Sequence, residues 1–290
     1  MRRGALGLGL LLASCGGPCS GGAPIVDIDV RPPPPTAAFE LDLAAARSRV
    51  EAAADALDGF SVRPAEAEEV GWQLTARPRL ATERTDDEDA TRVRRALGLA
   101  VELERLKPAR DGEIGRFVAE GLEVRVVPRG APTAPLVAAA VDTVMARLST
   151  SIALSRARPE RLARAIREGD PHARAVATRI ARARGLEAAR PALEARLAHD
   201  DVSPREALQL AGALADIGHP DSAGALIDTI SRFPKQTVPL LYLLGRVGGR
   251  EATAYLFTVK SGHEEAGVRA AAEEALAEAL EEGAESAEAP

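Results

Sequence analysis

The 290-residue chain has two cysteines, both within its first 20 positions, so no disulfide framework holds a folded body together. Aromatic residues make up only 3%, which leaves little material for stacking nucleobases or sugars. Basic charge is in deficit: 37 Lys and Arg against 43 Asp and Glu give a formal net charge of −6, which argues against a nucleic-acid partner. The four histidines, His172, His199, His219 and His263, show no HxxxH or HExxH spacing, and neither cysteine lies near them, so no metal centre is expected. There is no Gly-x-Ser-x-Gly elbow, no Gly-rich phosphate loop and no nucleotide fingerprint, so no catalytic residue and no cofactor is assigned. Hydrophobic residues at 46% and charged residues at 28% exclude wholesale disorder and a polytopic membrane protein, and the length suits one or two domains.

What is abundant needs discounting first. Only Lys107, Lys235 and Lys260 are lysines; every other basic residue is arginine, and alanine is roughly a fifth of the chain. Both biases are those of a GC-rich genome, so arginine clusters and alanine runs are background rather than functional signals.

Met1-Arg2-Arg3 is a short positive segment, Ala5 to Leu12 is apolar, and the small residues Ala13 and Ser14 lead to Cys15. This is the layout of a secretory signal, too short to span a bilayer. The ending Leu12-Ala13-Ser14-Cys15 resembles the lipobox of bacterial lipoproteins. That resemblance implies a signal peptide over 1–14, diacylglycerol on the Cys15 thiol, cleavage before it and acylation of the new amino terminus. Several acyl chains, at about 0.8 kcal/mol per buried CH₂, make such attachment effectively permanent. Loss of Arg2 and Arg3 takes the mature net charge to −8. Gly16 stands where an Asp often marks inner-membrane retention, so the resemblance favours the outer membrane with the body in the periplasm. Cys19 has no His or basic neighbour to lower its pKa and reads as incidental.

Residues 15–37 read as the lipidated Cys and a Gly- and Pro-rich tether ending in Pro32-Pro33-Pro34-Pro35, with Pro24 to Val30 alternating as a short edge strand inside it. Residues 38–155 read as a small α+β domain. Phe39, Leu43, Ala46, Val50, Ala53 and Leu57 have helical spacing, and Asp58-Gly59 ends that helix. The period then falls to two, with Val70, Trp72, Leu74 and Ala76, and again with Leu97, Leu99, Val101 and Leu103. Pro108 to Gly112 is a turn; 114–127 is a third strand, bulged at Gly121; and Pro132 to Leu154 is helical. The expectation is helix, three-stranded antiparallel sheet, helix. Thr85-Asp86-Asp87-Glu88-Asp89 lacks the glycine and ligand spacing of a calcium loop and reads as a solvated connection.

Residues 156–282 are self-similar. Gly185, Gly218 and Gly248 recur 33 and 30 residues apart. Eight before each stand Ala177, Leu210 and Leu240; four before, Ala181, Leu214 and Leu244; seven after, Ala192, Ala225 and Tyr255; eight after, Leu193, Leu226 and Leu256. These offsets predict the buried faces of helix pairs joined at a glycine turn, which must stack to bury those faces. Leu243-Leu244-Gly245-Arg246-Val247-Gly248 with Glu251-Ala252, and Leu214 to Ala223, resemble HEAT-type repeats, as does the helix start Asp170-Pro171-His172-Ala173-Arg174. The resemblance implies an α-solenoid of three to four helical hairpins. Pro239 departs from the pattern unless it sits in a first helical turn. Residues 283–290 read as an acidic disordered tail.

Two function classes follow. The first is a non-enzymatic scaffold, anchored to the bilayer through Cys15, that holds an envelope protein or peptide on the second-helix surface. That surface carries Arg190, Glu194, Asp228, Arg232 and Phe257 as contact residues, with Thr253 and the core-facing Tyr255 beside them. The second is an envelope enzyme or regulatory subunit with its site in the α+β domain.

Overall fold

In the computed structural model, which describes residues 22–34, 39–66, 69–84, 91–107 and 115–288, five strands and ten α-helices form a mixed α+β structure among the described residues. The lipobox with Cys15, Cys19, Thr85 to Asp89 and Pro108 to Gly112 lie outside the described residues.

The amino-terminal half is a sheet covered by two helices. Strands β1 (Ala23–Val30), β2 (Phe60–Val62), β3 (Trp72–Arg84), β4 (Arg92–Arg105) and β5 (Arg116–Pro128) stand in the order β2-β1-β3-β4-β5. Strands β3, β4 and β5 are the three antiparallel strands that the alternating pattern predicts. The sheet is wider than expected because β1 joins it, parallel to both β2 and β3. The segment assigned to the tether is therefore a central strand, not an edge. Its register slips between Ile25 and Asp27, and this turns both Ile25 and Ile28 into the core although they are three residues apart. The slip hides the strand from any test for strict alternation. Strand β2, three residues long, is too short to show a period at all.

Helix α1 (Leu43–Asp55) makes the crossover between the parallel strands β1 and β2. Asp42 caps it by accepting the Ala45 N–H at 3.0 Å, and Ala46, Val50 and Ala54 face the sheet. Helix α2 (Ala134–Ser155) lies across β4 and β5 and beside α1. Its length and hydropathy would suffice to cross a membrane, but Leu136, Val141, Val144 and Leu148 pack on the sheet. Gly121 is not a bulge, since the β4–β5 register runs unbroken past it. A Cβ there would stand 2.6 Å from Cγ2 of Val144, so the glycine is what lets α2 approach the strand.

The carboxy-terminal half comprises α3 (Pro159–Glu168), α4 (Pro171–Ala183), α5 (Arg190–Leu197), α6 (Pro204–Ile217), α7 (Ala223–Arg232), α8 (Thr237–Val247), α9 (Gly249–Gly262) and α10 (Ala266–Glu288). Helices α2, α4, α6, α8 and α10 pack each on the next in one row, and α3, α5, α7 and α9 do so in a second. Of the twelve positions at the glycine offsets, ten are buried, none of these more than 2% exposed, while Ala225 and Tyr255 are only partly buried. Gly185, Gly218 and Gly248 have φ of +55°, +69° and +65°, the left-handed conformation that ends a helix at little cost only for glycine. One detail differs from the expected pairing. Helices α5 and α6, and α7 and α8, pack on one another across the connections 198–203 and 233–236, whereas the helices joined at Gly185 and Gly218 make little contact. Pro239 falls in the first turn of α8, where its missing N–H has no intrahelical partner to lose. The tail expected to be disordered from 283 instead continues α10 to Glu288, because the Ala and Glu that fill it are strong helix formers.

Polar ties join the stacked helices. Asp170 caps α4, accepting the N–H groups of His172 and Ala173 at 2.8 and 2.9 Å. Arg196 on α5, 4% exposed, donates to Glu206 at 2.9 Å and to Asp201 at 2.6 Å, while Arg174 on α4 donates to Glu206 at 3.0 Å. Three helices thus meet at one carboxylate. Burial alone would raise the Glu206 carboxyl; Arg196 and Arg174 outweigh it and hold it below its ordinary value of 4.5. A depressed folded pKa means stability that is complete above the unfolded value and lost as pH falls through the folded one.

Two outcomes are expected. Glu206→Gln lowers the unfolding free energy at pH 7 by about 1–3 kcal/mol, and the deficit shrinks as pH drops below 4.5, measured by urea unfolding at pH 7 and pH 3.5. Gly245→Ala, whose Cβ would meet the Ala275 carbonyl at 2.6 Å, forces α8 from α10. It costs about 1–3 kcal/mol by the same measurement.

Candidate functional site

The α+β half meets the helical half at the carboxyl end of α2. Ile152 packs into the sheet core and Leu154 into the helical core. His172 Nε2 donates to the Arg147 carbonyl at 2.9 Å and lies 3.2 Å from Ser151 Oγ. Arg184, at the end of α4, donates to the Ser155 carbonyl and, at 3.3 Å, to that of Ala157, meeting acceptors that the end of α2 leaves unsatisfied.

A cleft of about 580 Å³ opens at this junction. Its floor is aromatic. Trp72 meets Phe60 edge-on at 5.3 Å and stacks on Phe117 at 5.9 Å, so three of the chain's eight aromatic residues gather at one spot. Its rim carries Arg105, Arg156 and Arg184, with the Arg156 guanidinium 5.7 Å from the Phe60 ring. Gly59, at φ +76°, leaves room for that guanidinium, which a Cβ would meet at 2.4 Å. Among the described residues the one carboxylate lining the cleft is Glu69. Arg63 donates to both its oxygens at 2.6 and 2.7 Å, and the Glu66 N–H donates as well; together they hold its pKa at about 2. It stays ionised at neutral pH and can neither give nor take a proton there. The cleft can therefore hold an apolar or aromatic group beside a negative charge. The sequence showed Trp72 only as a core position, because the three rings come from three separate strands.

The contact residues proposed from the repeat register divide into two sets. Arg190 donates to Glu194 at 3.2 Å with its Nε buried and unpaired, and Glu194 also accepts Ser222 Oγ at 2.7 Å. Together they tie α5 to the short turn Pro220–Ser222 ahead of α7. Arg232 donates to the Leu197 and His199 carbonyls at 2.8 and 2.9 Å, capping the end of α5 from α7, with its guanidinium 5.1 Å from the Phe233 ring. Asp228, by contrast, is exposed with no ion pair among the described residues, and Phe257 on α9 is 61% exposed. Tyr255 is half-buried against the core, and Thr253 bonds back to the Gly249 carbonyl at 2.9 Å.

The histidines make local contacts. His199 Nδ1 lies 2.8 Å from Asp201, and Nδ1 of His219 and of His263 accepts the Asp221 and Glu265 N–H respectively. No group of three or more His, Cys, Asp or Glu able to hold a metal lies together among the described residues. Comparison of the chain with protein-family models, with curated proteins and with solved structures finds no match.

The division between tied and free residues is measurable by calorimetry. Arg232→Ala leaves two helix-end carbonyls uncapped and lowers stability by about 1–2 kcal/mol, a fall of several degrees in Tm. Asp228→Arg and Phe257→Ala change stability by less than about 0.5 kcal/mol.

Proposed function

We propose that this chain is a lipid-anchored envelope protein that holds a protein or peptide partner and does no chemistry on it. Acyl chains on Cys15 fix it to the bilayer, the outer membrane facing the periplasm, and the helical half is a HEAT-like solenoid whose second-helix row presents the partner surface. The observation that carries the repeat reading is the burial of ten of the twelve offset positions around three glycines of positive φ. Repeats stacked this way expose one helix of each unit in a row, which suits an extended partner. Within that row Arg190, Glu194 and Arg232 hold neighbouring helices in register, and Asp228 and Phe257 make the contacts. An exposed phenylalanine, with a carboxylate on the same row that has no ion pair among the described residues, suits an apolar segment flanked by basic residues. Binding is favoured over catalysis because the junction cleft has an aromatic floor and the carboxylate that lines it among the described residues is locked ionised by Arg63.

The test is in-cell photo-crosslinking of the full chain with the probe at position 257, followed by mass spectrometry. A trapped envelope partner and an acylated amino-terminal Cys15 peptide are expected. Asp228→Arg combined with Phe257→Ala should lower partner recovery about tenfold, equivalent to about 1.4 kcal/mol. An unacylated Cys15, or recovery unchanged in the double variant, overturns the reading.

A further inference from the structure

The two edges of the sheet are unlike. Strand β2 offers three residues, whereas β5 offers thirteen. Long edges are sites of strand pairing unless something blocks them. In the β4–β5 ladder Arg129 N–H donates to the Thr91 carbonyl at 2.7 Å and Arg105 N–H to that of Gly115 at 2.9 Å. The register between these pairs is unbroken, so odd-numbered residues of β5 turn their backbone toward β4 and even-numbered ones turn theirs outward. The even-numbered side chains Leu122, Val124 and Val126 are 65%, 37% and 46% exposed, an apolar stripe along the open edge.

Two points on that edge are closed. Arg147 reaches from α2 and donates to the Glu120 carbonyl, and Pro128 has no N–H to give. We propose that β5 pairs antiparallel with β5 of a second copy of this chain, about a two-fold axis at Val124, making one continuous sheet. In this register Val124 faces its own copy, Leu122 faces Val126, and Glu120 faces Pro128. The one missing donor then falls opposite the one carbonyl already occupied, and the other outward groups from 120 to 128 find partners. Glu123 comes to stand opposite Arg125. Moving the axis by one residue sets either Glu123 or Arg125 against its own copy, which is unfavourable. Closure at both ends, charge complementarity and the apolar stripe thus select one occupant and one register.

Disulfide trapping reads this register. In the full chain with Cys15 and Cys19 replaced by serine, Val124→Cys brings two copies to a Cα separation of about 5.5 Å, within disulfide range. Most of the chain should run as a dimer on non-reducing gels. Leu122→Cys or Val126→Cys alone should give under a tenth as much, because like positions are then about 13 Å apart. The two mixed together should restore the crosslink. In sedimentation equilibrium in mild detergent the mass should be twice that of a single chain and should halve with Val124→Lys, without loss of the far-UV spectrum. A monomer at tens of micromolar, or Leu122→Cys crosslinking as well as Val124→Cys, overturns the proposal.

Discussion

Helix α2 has two surfaces to cover. Its middle turns lie on the sheet through Val141, Val144 and Leu148, and its last turn begins the helical row through Leu154. A sheet with one apolar face and a stack of helices with an unpaired first member each need a cover, and one 22-residue helix supplies both. The close seat at Gly121, the bond from His172 to the Arg147 carbonyl and the reach of Arg184 to the end of α2 all follow from its position. So does the junction cleft, which opens where the helix runs out.

Arginine does most of the joining in the second half. Arg182 and Arg246 meet at Asp216 from α4 and α8, and Arg174 and Arg196 meet at Glu206. Arg232 and Arg184 cap the ends of neighbouring helices. The guanidinium suits this task, with five donors in a planar fork that can satisfy two acceptors while its stem lies along apolar surface. In a chain with three lysines these residues look like compositional background. Their spacing carries no sign of which of them reach a neighbour, because each partner lies on another helix. Three of the contact residues expected on the helical row, Arg190, Glu194 and Arg232, are drawn into the same kind of internal tie, and Asp228 and Phe257 are left exposed.

The two halves also divide the surface by chemistry. The helical half is closed by polar ties and ends in the acidic helix α10, whereas the sheet half keeps an apolar strip on β5 and an aromatic cleft rimmed by arginine.

The sequence alone determined the elements whose side chains repeat with a regular period over enough residues. Strands β3, β4 and β5 alternate cleanly because one face is buried and the other meets solvent. Helix α2 and the offsets around Gly185, Gly218 and Gly248 are legible for the same reason, since each position serves one buried row. The resemblance of Leu12 to Cys15 to a lipobox, too, rests on contiguous residues. What only the tertiary structure decided lacks such a signature. Strand β1 hides behind its register slip, β2 is too short, and the favoured partners of the stacked helices depend on how whole faces fit. The cleft assembles Phe60, Trp72 and Phe117 from three strands, and the ion-pair ties of the helical half join residues up to 34 positions apart. Periodicity records which side of an element is buried; it does not record what that side is buried against.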